Sequence, residues 1–388
     1  MRILSTLTFY HPHWTGLSVV ARRLAEGMAS RGHGVTVLTS RHDRALPRRD
    51  ALRGVAIVRV PIMAKISRTV VMPSFPFELA REVARSDIVH LHTPMPEAPI
   101  VAAIARGLRK PVLVTHHGDV VMPSWGAFNR VVQVVMDKFL LAGMRWSDRI
   151  VVHVGDYRDR SVFLRPVASK VDAIYPPVEL PSPQPAEVER LRDSFALDGR
   201  PVVGFAGRFV EEKGFDFLLR AIPAVREALP DVLFLFAGET AIGYEDFFER
   251  NRGLFEGQRD VIVELGLVRD PAAMANFYAS CDVFVVPSRT DCFAIVQVES
   301  LLCGTPLVTS DIPGAREVIR VTGAGALVRP QDPAAIAEGI IRVLGRPERY
   351  RAAAATVRRI FDPERSIDRY ETLMERLIER RRPSRATR

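Results

Sequence analysis

The chain is 388 residues long, 47% apolar and 26% charged, which excludes a disordered polymer, and no run reaches the ~18 consecutive apolar residues of a membrane span. Its net charge of +9 is unevenly placed: residues 1–178 hold 25 basic and 13 acidic side chains, residues 179–375 hold 23 and 31, and residues 376–388 hold six and one. Three cysteines without CxxC spacing read as reduced thiols and argue against a zinc centre, and the opening Met1-Arg2-Ile3-Leu4 breaks at His11-Pro12-His13 before a signal-peptide core forms, so a cytoplasmic location is expected. In chain order, Ile3-Leu4 with Thr6-Leu7 predicts a strand, followed by the turn His13-Trp14-Thr15-Gly16. Ser18 is placed to N-cap a helix whose apolar face is Val19, Val20, Leu24 and Met28. Strands are predicted next at Val35–Leu38, Asp87–His90, Pro111–Val114 and Arg149–Val152, in alternation with helical patterns. Five prolines between Pro176 and Pro185 predict an extended linker. The alternation then restarts, with strands at Pro201–Phe205, Val232–Phe236, Val261–Glu264, Val283–Val286 and Pro306–Thr309 and a helical stretch over 352–380.

This rhythm predicts an α/β protein with two domains, each a parallel sheet covered by helices. The boundaries drawn from it are 1–178 for the first domain, 179–199 for the Pro-rich linker and lead-in, and 200–365 for the second domain. Residues 366–380 are expected to form a helix that folds back on the first domain, and 381–388 an Arg-rich disordered tail. Ligands of such sheets bind beyond the C-terminal ends of the strands, and two facing sheets would form a cleft.

The chemistry concentrates in two loops of the second domain. After the strand ending at Phe205 comes Gly207-Arg208-Phe209-Val210-Glu211-Glu212-Lys213-Gly214. Arg208 and Lys213 are two cations suited to a diphosphate, one as a planar fork and one as a point charge; an ordinary solvated loop is the other reading. After Val286-Pro287-Ser288 comes Arg289-Thr290-Asp291-Cys292-Phe293-Ala294-Ile295, with Glu299 further on. A helix starting near Phe293 would aim its free N–H groups at a ligand anion. Asp291 and Glu299 then read either as ligand-binding carboxylates or as an N-cap and a surface charge.

The ordered set of motifs resembles the retaining glycosyltransferases of family 4. Those motifs are GRxxxxKG at 207–214, Pro-Ser at 287–288, Asp291 and Glu299 separated by seven residues, Gly304-Thr305-Pro306, Gly314 to Val318, and Gly323 to Pro333. The first half adds Gly32-His33-Gly34-Val35, His90-Leu91-His92 and Thr115-His116-His117-Gly118. The resemblance covers nearly the whole chain. It implies the GT-B architecture, two Rossmann-like domains whose parallel sheets face an interdomain cleft, the first on the acceptor side and the second binding a nucleotide sugar. It implies that Arg208 and Lys213 hold the donor diphosphate and that Glu299 accepts from the ribose. Asp291 would accept from the transferred sugar. The amides of Phe293, Ala294 and Ile295 would hold sugar and phosphate, His117 would lie over the sugar, and Gly16 would belong to the loop meeting phosphate and acceptor. His116, His90 and His92 read more simply as structural. The donor is expected to be GDP-mannose or a UDP-hexose, the acceptor a lipid or glycan hydroxyl, and the mechanism a metal-independent front-face transfer without any cofactor. Three positions depart from the family pattern: Asp291 stands for Glu, Ala294 for Gly and Leu17 for Gly. The first calls for a re-aimed sugar contact, the second brings a methyl near the ligand amides, and the third stiffens the N-terminal loop.

Other classes are separable. A nucleotide-sugar epimerase on the same fold would need no acceptor, and an inactive binding module would bind donor without transfer. A nucleic-acid partner is not expected, because no basic-aromatic stripe appears and the motif-rich half is net acidic. The apolar stretch 128–141 reads either as a core helix or as a membrane-docking helix. With the basic first half, the second reading would place the protein peripherally on an anionic inner membrane face.

Overall fold

The computed structural model describes every residue except 67–68, 120–126, 241, 243–244 and 382–388, and of residues 66, 69 and 127–129 the backbone alone. The chain divides into two compact units. Unit 1 is Met1–Pro177 together with the chain from Pro363 onward, and unit 2 is Val178–Asp362.

Unit 1 is built on strands β1 (Arg2–Thr6), β2 (Gly34–Arg41), β3 (Arg49–Leu52), β4 (Val55–Pro61), the short hairpin β5 (Ala64–Ile66) and β6 (Thr69–Val71), then β7 (Ile88–Thr93), β8 (Val112–His116), β9 (Arg149–Val152) and β10 (Val171–Ala173). Among the described residues the main sheet has the order β10-β9-β8-β7-β1-β2-β4-β3, parallel throughout except for the edge pair β3–β4. The central strands are buried along their length because helices cover both faces; all six residues of β7 and all five of β8 are buried, including the polar His90, His92, Thr93, Thr115 and His116. The polar edge strand β3 is mostly exposed. Thr15, rather than Ser18, is the N-cap of the helix Gly16–Ser30. Its hydroxyl accepts from the Ser18 amide, and the Ser18 hydroxyl accepts in return from the Thr15 amide, so Ser18 is the third-position partner of the cap. Val19, Val20, Leu24 and Met28 are buried as their spacing requires.

Unit 2 follows with β11 (Val202–Ala206), β12 (Leu233–Ala237), β13 (Ile262–Gly266), β14 (Val283–Val286), β15 (Leu307–Ser310) and β16 (Gly325–Val328). Among the described residues they form an all-parallel sheet in the order β13-β12-β11-β14-β15-β16. Chain order reverses beside β11, so the loops after β11 and β14 leave the sheet side by side at the switch point.

Three regions differ from expectation. The Pro-rich stretch ends in a helix, Pro185–Ser194, because its fifth proline occupies a first-turn position where a missing N–H costs nothing. The helical stretch over 352–380 is two helices, Ala354–Ile360 and Pro363–Arg381, since Pro363 starts a new helix and cannot continue the old one. Arg381, counted with the tail, ends that helix and pairs with Asp148 at 2.7 Å; residues 382–388 lie outside the described residues. The stretch 128–141 lies within the helix Ala127–Trp146, of which 128–129 are described only in backbone. It is not a core helix throughout. Leu140 and Met144 are buried, and Gly143 allows close approach to Ala98, but Val131 is 62% exposed and Phe139 50%. Among the described residues, no helix is long and apolar enough to cross a membrane.

Candidate active site

The loop after β11 carries Arg208 and Lys213. Gly214 has φ +66°, and a Cβ there would run into the Pro287 carbonyl, so only glycine lets this loop touch the end of β14. Lys213 Nζ donates to Asp291 Oδ2 at 2.7 Å, and Arg208 donates to Glu212 at 3.0 Å. Burial would push the Lys213 ammonium down, but the Asp291 and Glu212 charges hold it above its ordinary value. Both cations are therefore charged and paired with carboxylates. The fold brings Lys213 and Asp291 together across 78 residues of sequence.

A third cation, which the sequence reading did not single out, ties the two loops together. Arg289 forks onto Asp216 at 2.7 and 2.8 Å, donates to the Glu211 carbonyl at 2.7 Å and lies 4.1 Å from the Phe217 ring centre. Its own amide donates to the Glu212 carbonyl at 2.9 Å. The available signal was an arginine between the Pro-Ser turn and the acidic residue.

Asp291 is held from the other side by Gly314. The two form an isolated parallel bridge, and a side chain at Gly314 would strike the Asp291 and Cys292 carbonyls. The following helix is Ile295–Leu302, so it starts two residues later than expected, with Ala294 as its N-cap. Ala294 has φ −82°, a conformation open to any residue, so the position does not itself require glycine. No side chain caps this helix, and of its first-turn amides that of Gln297 donates to the Ala294 carbonyl at 3.0 Å. The Phe293 ring is buried against Phe361, leaving its backbone as the part that can face a ligand. Glu299 sits inside the helix, buried, and accepts from the Tyr278 hydroxyl at 3.0 Å. Burial, then the Glu299 charge, pushes the Tyr278 phenol well above its ordinary value, so it stays a donor. Tyr278 was not anticipated.

In unit 1, the adjacent parallel strands β7, β8 and β9 bring three histidines together at their C-terminal ends. His92 Nδ1 lies 3.0 Å from His117 Nε2, and His117 Nδ1 lies 3.1 Å from His153 Nε2. Burial first, and neighbouring imidazoles second, hold His92 and His117 well below the usual histidine range. Burial lowers His90 to about 3 and His153 to about 4. His90 contacts Thr115 at 2.7 Å, and His116 bridges Thr93 and Asp119 at 3.0 Å each. His153 was missed; its signal was a histidine directly after a strand, the same placement as His117. Gly16 is the exposed first residue of its helix, with open space around it. Among the described residues, no group of His, Cys, Asp and Glu side chains is arranged to hold a metal ion.

Residues 14–181 match the family described as Glycosyltransferase Family 4, and residues 200–346 match Glycosyl transferases group 1. The phosphatidyl-myo-inositol mannosyltransferase of Mycobacterium leprae is 31% identical over 353 residues, covering 88% of this chain and 87% of that one. The D-inositol 3-phosphate glycosyltransferase 1 of Catenulispora acidiphila is 26% identical, covering 88% and 85%. Among solved structures, the sucrose-phosphate synthase from Thermosynechococcus elongatus aligns with a TM-score of 0.76 at 21% identity, over 98% of this chain and all of that one. Anabaena HepE in complex with UDP-glucose aligns at 0.74 and 17%, over 98% and 99%. The shared fold is GT-B, each unit a Rossmann-like parallel sheet with its chemistry-bearing loops at the C-terminal strand ends, and this chain belongs to glycosyltransferase family 4, the group 1 glycosyl transferases.

Proposed function

We propose that this glycosyltransferase moves a hexose from a nucleoside-diphosphate sugar, GDP-mannose or a UDP-hexose, to a hydroxyl of a lipid-borne polyol, with retention at the anomeric carbon. The observation that carries the reading is the pair of charged groups Arg208 and Lys213 beyond β11, each held by a carboxylate that a diphosphate would displace. Released from Lys213, the Asp291 carboxylate becomes an acceptor for the sugar hydroxyls. Glu299, oriented by Tyr278, accepts from the ribose. The amides around Phe293, Ala294 and Ile295 meet sugar and phosphate at a helix N-terminus. His117 lies over the sugar as a neutral ring, and Gly16 belongs to the loop that meets phosphate and acceptor. As the sugar–phosphate bond breaks, the negative charge gathers on the departing diphosphate, where the two cations and the helix dipole stabilise it. The acceptor oxygen attacks from the same face, and a departing phosphate oxygen takes its proton. The scheme draws its positive charge from Arg208 and Lys213 and calls for no metal. The inositol acceptors in the relatives' names support a polyol acceptor. The exposed apolar face of the helix Ala127–Trp146, in a basic unit, supports peripheral docking on an anionic membrane at the inner face.

The test starts with thermal shifts against UDP-, GDP- and ADP-sugars, followed by transfer of labelled sugar to phosphatidylinositol vesicles, with and without a chelator. Arg208→Ala and Lys213→Ala are each expected to lower kcat about 100- to 1,000-fold. The product should keep the donor's anomeric configuration, chelator should change nothing, and vesicle binding should fade as salt rises. A trapped covalent glycosyl-enzyme, or turnover of donor that needs no acceptor, would overturn the reading.

A further inference from the structure

Lys213 stands at the end of a 3₁₀ turn, Glu211–Lys213, only three residues long. The turn's internal bonds run from the Lys213 amide to the Val210 carbonyl and from the Gly214 amide to the Glu211 carbonyl, at 3.1 Å each. Bonds so few do not repay the entropy of fixing a turn, so the turn must be held from outside.

The Glu211 amide donates to Glu245 at 2.6 Å, and the rest of the hold comes from Arg289. Arg289 Nη1 donates to the Glu211 carbonyl and to Asp216 Oδ1, at 2.7 Å each, and Nη2 donates to Asp216 Oδ2 at 2.8 Å. The Arg289 amide donates to the Glu212 carbonyl at 2.9 Å. One residue therefore holds the two carbonyls just before Lys213 and the carboxylate three residues after it. Asp216 lies in the first turn of the helix Phe215–Ala228 and is 2% exposed, so the anchor is a rigid one.

Arg289 also stands two residues before Asp291, which takes the Lys213 ammonium at 2.7 Å. One loop thus grips Lys213 at both ends, the main chain through Arg289 and Nζ through Asp291. A diphosphate that draws Nζ from Asp291 opens the second grip and leaves the first. We propose that Arg289 is a positioning residue for Lys213: it fixes the 3₁₀ turn so that Nζ meets the donor diphosphate from a set place once the pair with Asp291 opens. A forked cation is needed, because a point charge cannot serve both oxygens of Asp216 and the Glu211 carbonyl. The inference rests on the reading that Lys213 holds the donor diphosphate.

Titration calorimetry of the full chain with UDP and with GDP tests it, on the nucleotide that the wild type binds more tightly. Arg289→Lys keeps a charge against Asp216 but loses the fork. The double variant Arg289→Met/Asp216→Leu removes the guanidinium without stranding a buried carboxylate, so its melting temperature should return toward wild type. Both should raise Kd about 10-fold, the worth of one misplaced charged hydrogen bond. A residue that acts through Lys213 loses its effect when Lys213 is gone. In Lys213→Ala, adding Arg289→Lys should therefore raise Kd by about 2-fold or less. Wild-type Kd in both Arg289 variants, or the same 10-fold cost with and without Lys213, overturns the positioning role alone. Undiminished binding by Lys213→Ala, or no binding of either nucleotide by the wild type, overturns the donor reading and this proposal with it.

Discussion

In the proposed reading donor binding turns on Lys213 and Arg208, and neither side chain is idle in the structure. Glu212 holds Arg208 at 3.0 Å and Asp291 holds Lys213 at 2.7 Å, so a diphosphate bound as proposed would have to win both cations from carboxylates. The Arg208–Glu212 pair is partly exposed, which limits its worth to about 1 kcal/mol or less. Glu212→Gln removes the competitor without removing the cation, and donor KM should fall by up to about 5-fold in steady-state kinetics. A rise in KM would mean that Glu212 orients Arg208 rather than competing for it. Arg289 acts differently, because its partner Asp216 is almost wholly buried. Arg289→Met strands that carboxylate, and the expected loss of about 3–5 kcal/mol in urea unfolding follows from an uncompensated buried charge. The double variant Arg289→Met/Asp216→Leu should regain a large part of it. Simple additivity of the two single changes would show that the pair is not what holds the loops.

The helix Pro363–Arg381 shows how one element completes unit 1 from far along the chain. It buries Ile367, Tyr370, Met374 and Leu377, and Tyr370 accepts from Thr115, the residue that also contacts His90. Arg31 binds Glu364, Asp368 and Glu371 on successive turns of this helix, at 2.6 Å each. The approach is close enough that a Cβ at Gly27 would strike the Ile367 Cδ1 atom. Gly27→Ala gains roughly 1 kcal/mol of helix propensity but forces this contact. We expect a net loss of about 1–2 kcal/mol in thermal unfolding. Ile367→Val removes the struck methyl, so the pair Gly27→Ala/Ile367→Val should be more stable than the sum of the single changes predicts. Elements of this kind mark the limit of what the sequence makes legible. The buried strands read clearly because apolar runs such as Val112–Val114 and Val283–Val286 stand between breakers. The spacing of Asp291 and Glu299 read clearly because both lie on one short segment. The polar edge strand β3 carries no apolar alternation and stayed hidden. The fork from Arg289 to Asp216 joins residues 73 apart, and His153 meets His117 across 36, so neither pairing has a local signature.

On the scale of the whole chain, the two units differ in what protons do to them. All nine histidines lie between residues 11 and 153, and so do the three tryptophans; unit 2 has neither. Desolvation holds His90, His92, His117 and His153 neutral, with His90 lowered to about 3 and His153 to about 4 from an ordinary value of 6.5. Below pH 6.5 the unfolded chain takes up protons on these rings and the folded chain does not. Stability present above pH 6.5 is therefore lost steadily as the pH falls toward 4. One ring lowered to about 4 withdraws about 2 kcal/mol by pH 5. Unit 1 should therefore fail first on mild acidification. Tryptophan fluorescence reports unit 1 alone, so its melting temperature should drop between pH 7 and pH 5. A second calorimetric transition, belonging to unit 2, should hold nearly constant. His153→Leu should flatten the slope of the first transition and leave the second untouched. Parallel movement of both transitions, or a fluorescence midpoint independent of pH, would show that the buried histidines do not govern the acid response.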